Sequence, residues 1–182
     1  YIHCDVLVIG AGISGIMAAK IAAKKGLRTL LVDEKPNLGG STIYQNSDYF
    51  KINNQNSESW LNKEINEIKK LENLEIKTRT SIAAYHGYNF LLARENLTDH
   101  LPIEQRKDKT RHKLLKIRAK KVITATGSIE RPMIFDNNDR PGISPSSAIK
   151  KYTDFNGVPW GEKKILLTNT DSDNETAISL YY

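Results

Sequence analysis

The chain opens with two kinds of hydrophobic spacing set side by side. Val6 to Ile9 form a short unbroken apolar run, the pattern of a strand buried on both faces. From Ile13 to Lys25 apolar and alanine residues recur at the helical period, and Leu27 to Val32 make a second apolar run. Ser57 precedes Trp60, Leu61, Ile65, Ile68 and Leu71, which predict an amphipathic helix with Lys63, Glu64, Glu67, Lys69 and Lys70 on its polar side. Residues 74–80 predict a third strand, and residues 81–96 a hairpin turning near His86 and Gly87. A further strand covers residues 112–127, bent or split around Ala119 and Lys120.

Between these elements the pattern breaks down. Residues 42–56, rich in Asn, Tyr and Ser, predict an irregular connection, and residues 136–145 a loop. Ser147 to Tyr152 predict a short helix, and residues 157–163 a linker. Residues 163–182 repeat a strand, turn and helix, but that turn holds no glycine, and Asp171 and Asp173 would repel a phosphate. The expected organisation is one dinucleotide-binding domain over residues 1–158, then residues 159–182 as the truncated start of a second, nucleotide-binding-like domain.

The chemistry lies in the turns. Gly10, Gly12 and Gly15 stand as G-x-G-x-x-G between the first strand and the first helix. Gly10 permits a tight turn, Gly12 lets backbone approach a pyrophosphate, and Gly15 lets helix pack on strand. The exposed N–H groups and the positive dipole end of that helix then favour phosphate. Asp33 ends the second strand, where a carboxylate accepts hydrogen bonds from an adenosine ribose. Gly39 and Gly40 would fold a loop over the ligand, with Ser41 donating to a phosphate. Ala125, Thr126 and Gly127 close a strand at the carboxyl edge of a parallel sheet, where Thr126 offers a hydroxyl and Gly127 a close backbone approach. The fold class expected is α/β, a Rossmann-like FAD/NAD(P)-binding domain with an inserted antiparallel meander.

Composition narrows the function. The single cysteine, Cys4, excludes an internal disulfide, a C-x-x-C redox pair and a multi-cysteine metal site, and reads as a small packing residue. The four histidines, His3, His86, His100 and His112, show no ligand spacing, so no metal site is expected. No residue set forms a catalytic acid, base or nucleophile constellation, and Arg131 beside Glu130 reads as a local ion pair. The net charge of +6 is densest over residues 106–121, yet Lys113, Lys116, Arg118 and Lys120 interleave with Leu115, Ile117 and Ala119 as on a solvated strand. Contact with an acidic partner is expected there, rather than nucleic acid. No apolar stretch is long enough to span a membrane and no cleavable leader is visible, so the expected compartment is the cytoplasm.

Residues 116–152, with Glu130-Arg131-Pro132 and Asn138-Asp139-Arg140-Pro141-Gly142, resemble the α subunit of heterotetrameric sarcosine oxidase. Residues 78–102 and 166–177 resemble the same subunit. The resemblance implies a central piece of a longer chain, acting with β, γ and δ subunits in oxidative demethylation of sarcosine to glycine, with formaldehyde captured by tetrahydrofolate and hydrogen peroxide released. It implies NAD as the occupant of this site, with contacts at Ser14, Asp33, Glu34, Lys35, Ser41 and Ile82. The chain itself would then be non-catalytic. One departure stands out: relatives carry Pro-Ala where this chain has Ile13-Ser14. The alternative is a self-contained FAD-dependent oxidoreductase of the amine or opine dehydrogenase or pyridine-nucleotide type, because the same glycines serve FAD and NAD alike. Asp33 and Glu34 oppose the 2′-phosphate of NADP.

Overall fold

The computed structural model describes residues 1–45, 50–159, 161–163, 165–167 and 177. Backbone packing divides the chain into two units, Tyr1–Gly40 with Ser59–Gly127, and Ser41–Glu58 with Ser128–Tyr182.

The first unit is built on a six-stranded sheet in the order β5-β2-β1-β8-β7-β6. Its strands are β1 (Ile2–Ile9), β2 (Thr29–Val32), β5 (Leu74–Lys77), β6 (Thr80–His86), β7 (Phe90–Asn96) and β8 (His112–Thr124). β5, β2, β1 and β8 run parallel, whereas β6, β7 and β8 form an antiparallel meander. β8 therefore belongs to both halves: Arg118 pairs with Phe90 on one side and His3 on the other.

α1 (Ile13–Lys24) connects β1 to β2 and buries Gly15, Ile16, Ala19, Lys20, Ala22 and Ala23. Gly15, Ala19, Ala22 and Ala23, being small, allow a close helix-on-sheet approach. A separate core cluster consists of strand residues alone, Cys4, Leu7, Leu30, Val32, Leu91, Ala93, Leu115, Ile117 and Ala119, with Ile82 packed against it. The parallel and antiparallel halves thus bury a common apolar face. Burial pushes the Cys4 thiol up to about 11, with Asp5 adding to the effect, so the group is a neutral packing element.

α2 (Ser57–Ile68) is the expected amphipathic helix, with Trp60, Leu61 and Ile68 buried. Lys20 of α1 reaches Glu64 and, at 2.8 Å, Glu67 of α2, tying the two helices. The second unit holds a 3-10 turn over Gly40–Tyr44, the two-stranded ribbon of β3 (Lys51–Ile52) and β4 (Gln55–Asn56), and α4 (Ser146–Lys150) with a π-helical turn at Lys151–Phe155. A one-turn helix, α3 (Ile103–Arg106), sits in the loop before β8.

Several local expectations change. The connection over residues 42–56 contains the short turn and ribbon just named. The strand expected over residues 74–80 breaks after Lys77, because Arg79 turns the chain at φ 51°. β8 runs unbroken where a bend or split was expected: its pairing with β1 keeps one register from Ile2–Ile117 to Ile9–Thr124, and Lys120 reaches Asp5 at 2.9 Å. Glu130 does not pair with Arg131: its carboxylate accepts from Ser146 N at 3.0 Å and Ser147 N at 2.7 Å, capping α4. Those bonds outweigh partial burial and lower its pKa. The strand, turn and helix expected over residues 163–182 lie largely outside the described residues.

Candidate functional site

The site begins where β1 ends. Gly10 turns the chain at φ 98°, its N–H bonded to the Val32 carbonyl at 2.8 Å. A Cβ here would overlap the carbonyl oxygen of Ala125, so only glycine permits the turn beside β8. A Cβ on Gly15 would overlap the Gly10 carbonyl oxygen, so the first turn of α1 lies directly on this backbone. Gly12 caps α1 with no side-chain bond, and no acidic residue lies in the first turn. The N–H groups of Ile13, Ser14 and Gly15 accordingly lack helical partners, and the Ser14 side chain is exposed beside them.

Two further loops converge on the glycine turn. Gly39 donates its N–H to the Ala11 carbonyl at 2.7 Å and forms a parallel bridge with Gly12. A Cβ on Gly40, at φ 60°, would stand 2.8 Å from the Gly12 Cα. The second glycine pair therefore packs backbone to backbone on the first. Ser41 follows Gly40 as an exposed residue of the second unit.

Asp33 stands at the end of β2, partly buried. One oxygen accepts from Ala11 N–H at 2.6 Å and the other from Lys35 N–H at 2.7 Å. Its carboxylate thus anchors the glycine turn and its own loop, while each oxygen keeps acceptor capacity for a ribose hydroxyl. Glu34 beside it is exposed. The Asp33 carbonyl accepts from Thr80 N–H at 2.8 Å, which brings the start of β6 to this loop; Ile82 lies two residues on and packs into the core cluster. Ala125 N–H bonds to the Ile9 carbonyl at 2.7 Å, and exposed Thr126 and Gly127 follow, the latter at φ 72°.

The structure brings Gly10, Gly12, Ser14, Gly15, Asp33, Glu34, Lys35, Gly40, Thr126 and Gly127 to one edge of the sheet, with Ile82 nearby in its core. Ala11 and Gly39 join them through backbone bonds. The doubled glycine at 39–40 was the signal for Gly39, whereas nothing in the residue type of Ala11 marked it.

These residues fit a dinucleotide. A diphosphate needs backbone free of side-chain atoms beside unsatisfied N–H donors, and Gly10, Gly15 and Gly40, which leave no room for a Cβ, hold the backbone around Gly12 in that form. Among the described residues no helix is long and apolar enough to cross a membrane.

The family described as FAD dependent oxidoreductase matches residues 5–101, more than half of the chain. Sarcosine oxidase subunit alpha of Corynebacterium sp. (strain P-1) is 35% identical over 172 residues, covering 94% of this chain and 18% of that protein. The protein of the same description from Rhizobium meliloti (strain 1021) is 33% identical over 177 residues, 93% of this chain and 17% of its own length. The chain therefore spans less than a fifth of these relatives. Among solved structures, L-proline dehydrogenase from P. horikoshii superposes with a TM-score of 0.68 at 28% identity, over 88% of this chain and 30% of that one.

Proposed function

The chain belongs to the FAD dependent oxidoreductase family, and from that premise we propose that its glycine-lined site holds the adenosine and pyrophosphate portion of FAD. The observation that carries the reading is the glycine turn around Gly12, where a Cβ added at Gly10, Gly15 or Gly40 would run into backbone. In this reading the first-turn N–H groups of α1 donate to phosphate oxygens and the Ser14 hydroxyl adds a donor. Asp33 accepts from a ribose hydroxyl while holding the loop through Ala11. Glu34 and Lys35 border the adenosine, Ser41 and Ile82 complete the contact set, and Thr126 and Gly127 line the carboxyl edge. Bound flavin supplies two-electron chemistry, accepting the equivalent of a hydride from a donor.

For the whole protein, sarcosine and proline, named in two of the similar proteins, are both α-amino acids with a secondary amine. This supports a secondary amino acid as donor, oxidised at a carbon beside nitrogen to the imine and then hydrolysed. The finer form is demethylation of sarcosine to glycine with β, γ and δ subunits in the cytoplasm, formaldehyde passing to tetrahydrofolate and the two electrons passing to dioxygen to form hydrogen peroxide. It rests on likeness to the α subunit, and it assigns the amine chemistry to the complex rather than to residues 1–182 alone. The domain boundary at 158/159 belongs to the same reading.

NAD, which the resemblance put first, becomes the second reading: it uses the same residues, but the family description names FAD. The deciding experiment is an absorbance spectrum of the purified protein, with the ligand released by denaturation identified by mass. Flavin absorbance with released FAD is expected. Released NAD without flavin absorbance overturns the FAD assignment in favour of the second reading. If neither is carried, titration with each follows, and failure of both to saturate rejects the site.

A further inference from the structure

The antiparallel half of the sheet has a second face, turned away from its core cluster. Along β8, Leu115, Ile117 and Ala119 are buried, whereas Leu114, Arg118 and Lys120 are exposed and Lys116 half-buried. On β7 the register sets Arg94 opposite Leu114, Leu92 opposite Lys116 and Phe90 opposite Arg118. Leu114 is 62% exposed, although it sits in the middle of a sheet.

Lys120 of this face pairs with Asp5 at 2.9 Å, whereas Lys116 and Arg118 are held in place without carboxylates. The Arg118 guanidinium lies 5.0 Å from the centre of the Phe90 ring and donates to the Tyr88 carbonyl at 3.2 Å. Lys116 lies 5.2 Å from the Tyr1 ring and donates to its hydroxyl at 3.3 Å. Among the described residues no ion pair satisfies Lys116, Arg118 or Arg94, while Asp5 is already engaged by Arg28 and Lys120. Aromatic support fixes the positive groups but leaves their charge uncompensated.

We propose that this face docks an acidic polypeptide segment that carries an apolar side chain, its carboxylates set against Lys116 and Arg118 and its apolar residue against Leu114 and Leu92. Charge complementarity selects the sign of the partner. The spacing selects its form: Lys116 and Arg118 are two residues apart on one strand, so their side chains stand about 7 Å apart, within reach of carboxylates on one short segment. The apolar centre selects a polypeptide over a nucleic acid backbone, which offers charge but no aliphatic anchor for Leu114. The pairing raises the association rate through the basic field and adds specificity through the anchor. This inference stands apart from the nucleotide site.

The test uses fluorescence anisotropy on the whole protein with three fluorescein-labelled probes: a twelve-residue glutamate peptide with two central leucines, an all-glutamate peptide of equal length, and a single-stranded deoxythymidine dodecamer. The leucine-containing peptide is expected to bind at least fivefold more tightly than either other probe. Lys116→Gln with Arg118→Gln is expected to weaken it at least tenfold, and Leu114→Ser to remove the advantage over all-glutamate. Lys69→Gln with Lys70→Gln, which lowers net charge equally at the end of α2, is expected to change binding less than twofold. Equal loss in that control pair, or tighter binding of the oligonucleotide, overturns the proposal. Circular dichroism of each variant confirms that the sheet is intact.

Discussion

Gly12 and Gly40 face each other so closely that a Cβ on Gly40 would come 2.8 Å from the Gly12 Cα. Two loops separated by the whole of α1 and β2 are thereby held backbone to backbone. Gly40→Ala places a side chain at φ 60°, which by itself costs about 1–2 kcal/mol. The variant is expected to unfold at lower urea and to lose FAD affinity by more than the stability change explains, because the added methyl pushes against Gly12 at the start of α1. Equilibrium unfolding and FAD titration, compared with Gly87→Ala in open space, separate the two effects.

Asp33 provides a second check. Replacing it with Asn keeps one carbonyl oxygen, so either the Ala11 or the Lys35 backbone N–H loses its acceptor. Loss of a hydrogen bond to a charged group corresponds to about 1.5–3 kcal/mol. The expected result is a lower urea midpoint in the ligand-free protein, showing that Asp33 supports the turn before any nucleotide arrives. An unchanged midpoint with weakened binding would confine Asp33 to the ribose.

The Lys20 pair calls for a double-mutant cycle. Lys20→Met leaves Glu64, itself 7% exposed, without its cation and is expected to destabilise by about 2 kcal/mol, less than a deeply buried pair because Glu67 stays near solvent. Lys20→Met combined with Glu64→Leu is expected to recover most of that loss. Thermal unfolding of the four proteins gives the coupling; simple additivity would dismiss the ion pair as a helix tie.

Acid stability follows from Asp99. Arg111 first, then His112, hold its carboxyl at about 2, below the ordinary 3.8. A carboxylate with a depressed native pKa stabilises the fold above its unfolded value and loses that contribution as pH falls toward the native one. The window runs from pH 3.8 down to about 2. Asp99→Asn is expected to lower Tm at neutral pH and to flatten the Tm decline across this window, read by circular dichroism. An identical decline in both proteins would count against Asp99 as its source.

The strand, glycine turn and helix of the nucleotide unit were legible because their causes are local. Val6 to Val8 are buried on both faces of the sheet, and the G-x-G-x-x-G spacing announces the turn that Gly10 makes at φ 98°. What stayed hidden was assembled at a distance. Glu130 has a guanidinium next to it in sequence, yet bonds α4 some sixteen residues on. Arg79 turns the chain with no glycine to announce it. Asp99 gathers Arg106, Arg111 and His112 from the two ends of a loop whose length gave no warning. The Asp33 carboxylate was legible as an acceptor, but not its backbone donors, because any residue type can supply an N–H.

The shared strand β8 also governs the order in which this protein can be made. Its pairing of Ile117 with Ile2 joins residues more than a hundred positions apart, and the register runs on to Thr124. During synthesis β1, α1 and β2 leave the ribosome before β8, with one side of β1 left unpaired until β8 is complete. The nascent chain thus carries an open apolar strand edge from the making of β1 until β8 follows, the condition under which chains depend on chaperones or pair with the wrong neighbour. Translation pauses placed between β1 and β8 should therefore lower the soluble yield more than pauses placed after β8.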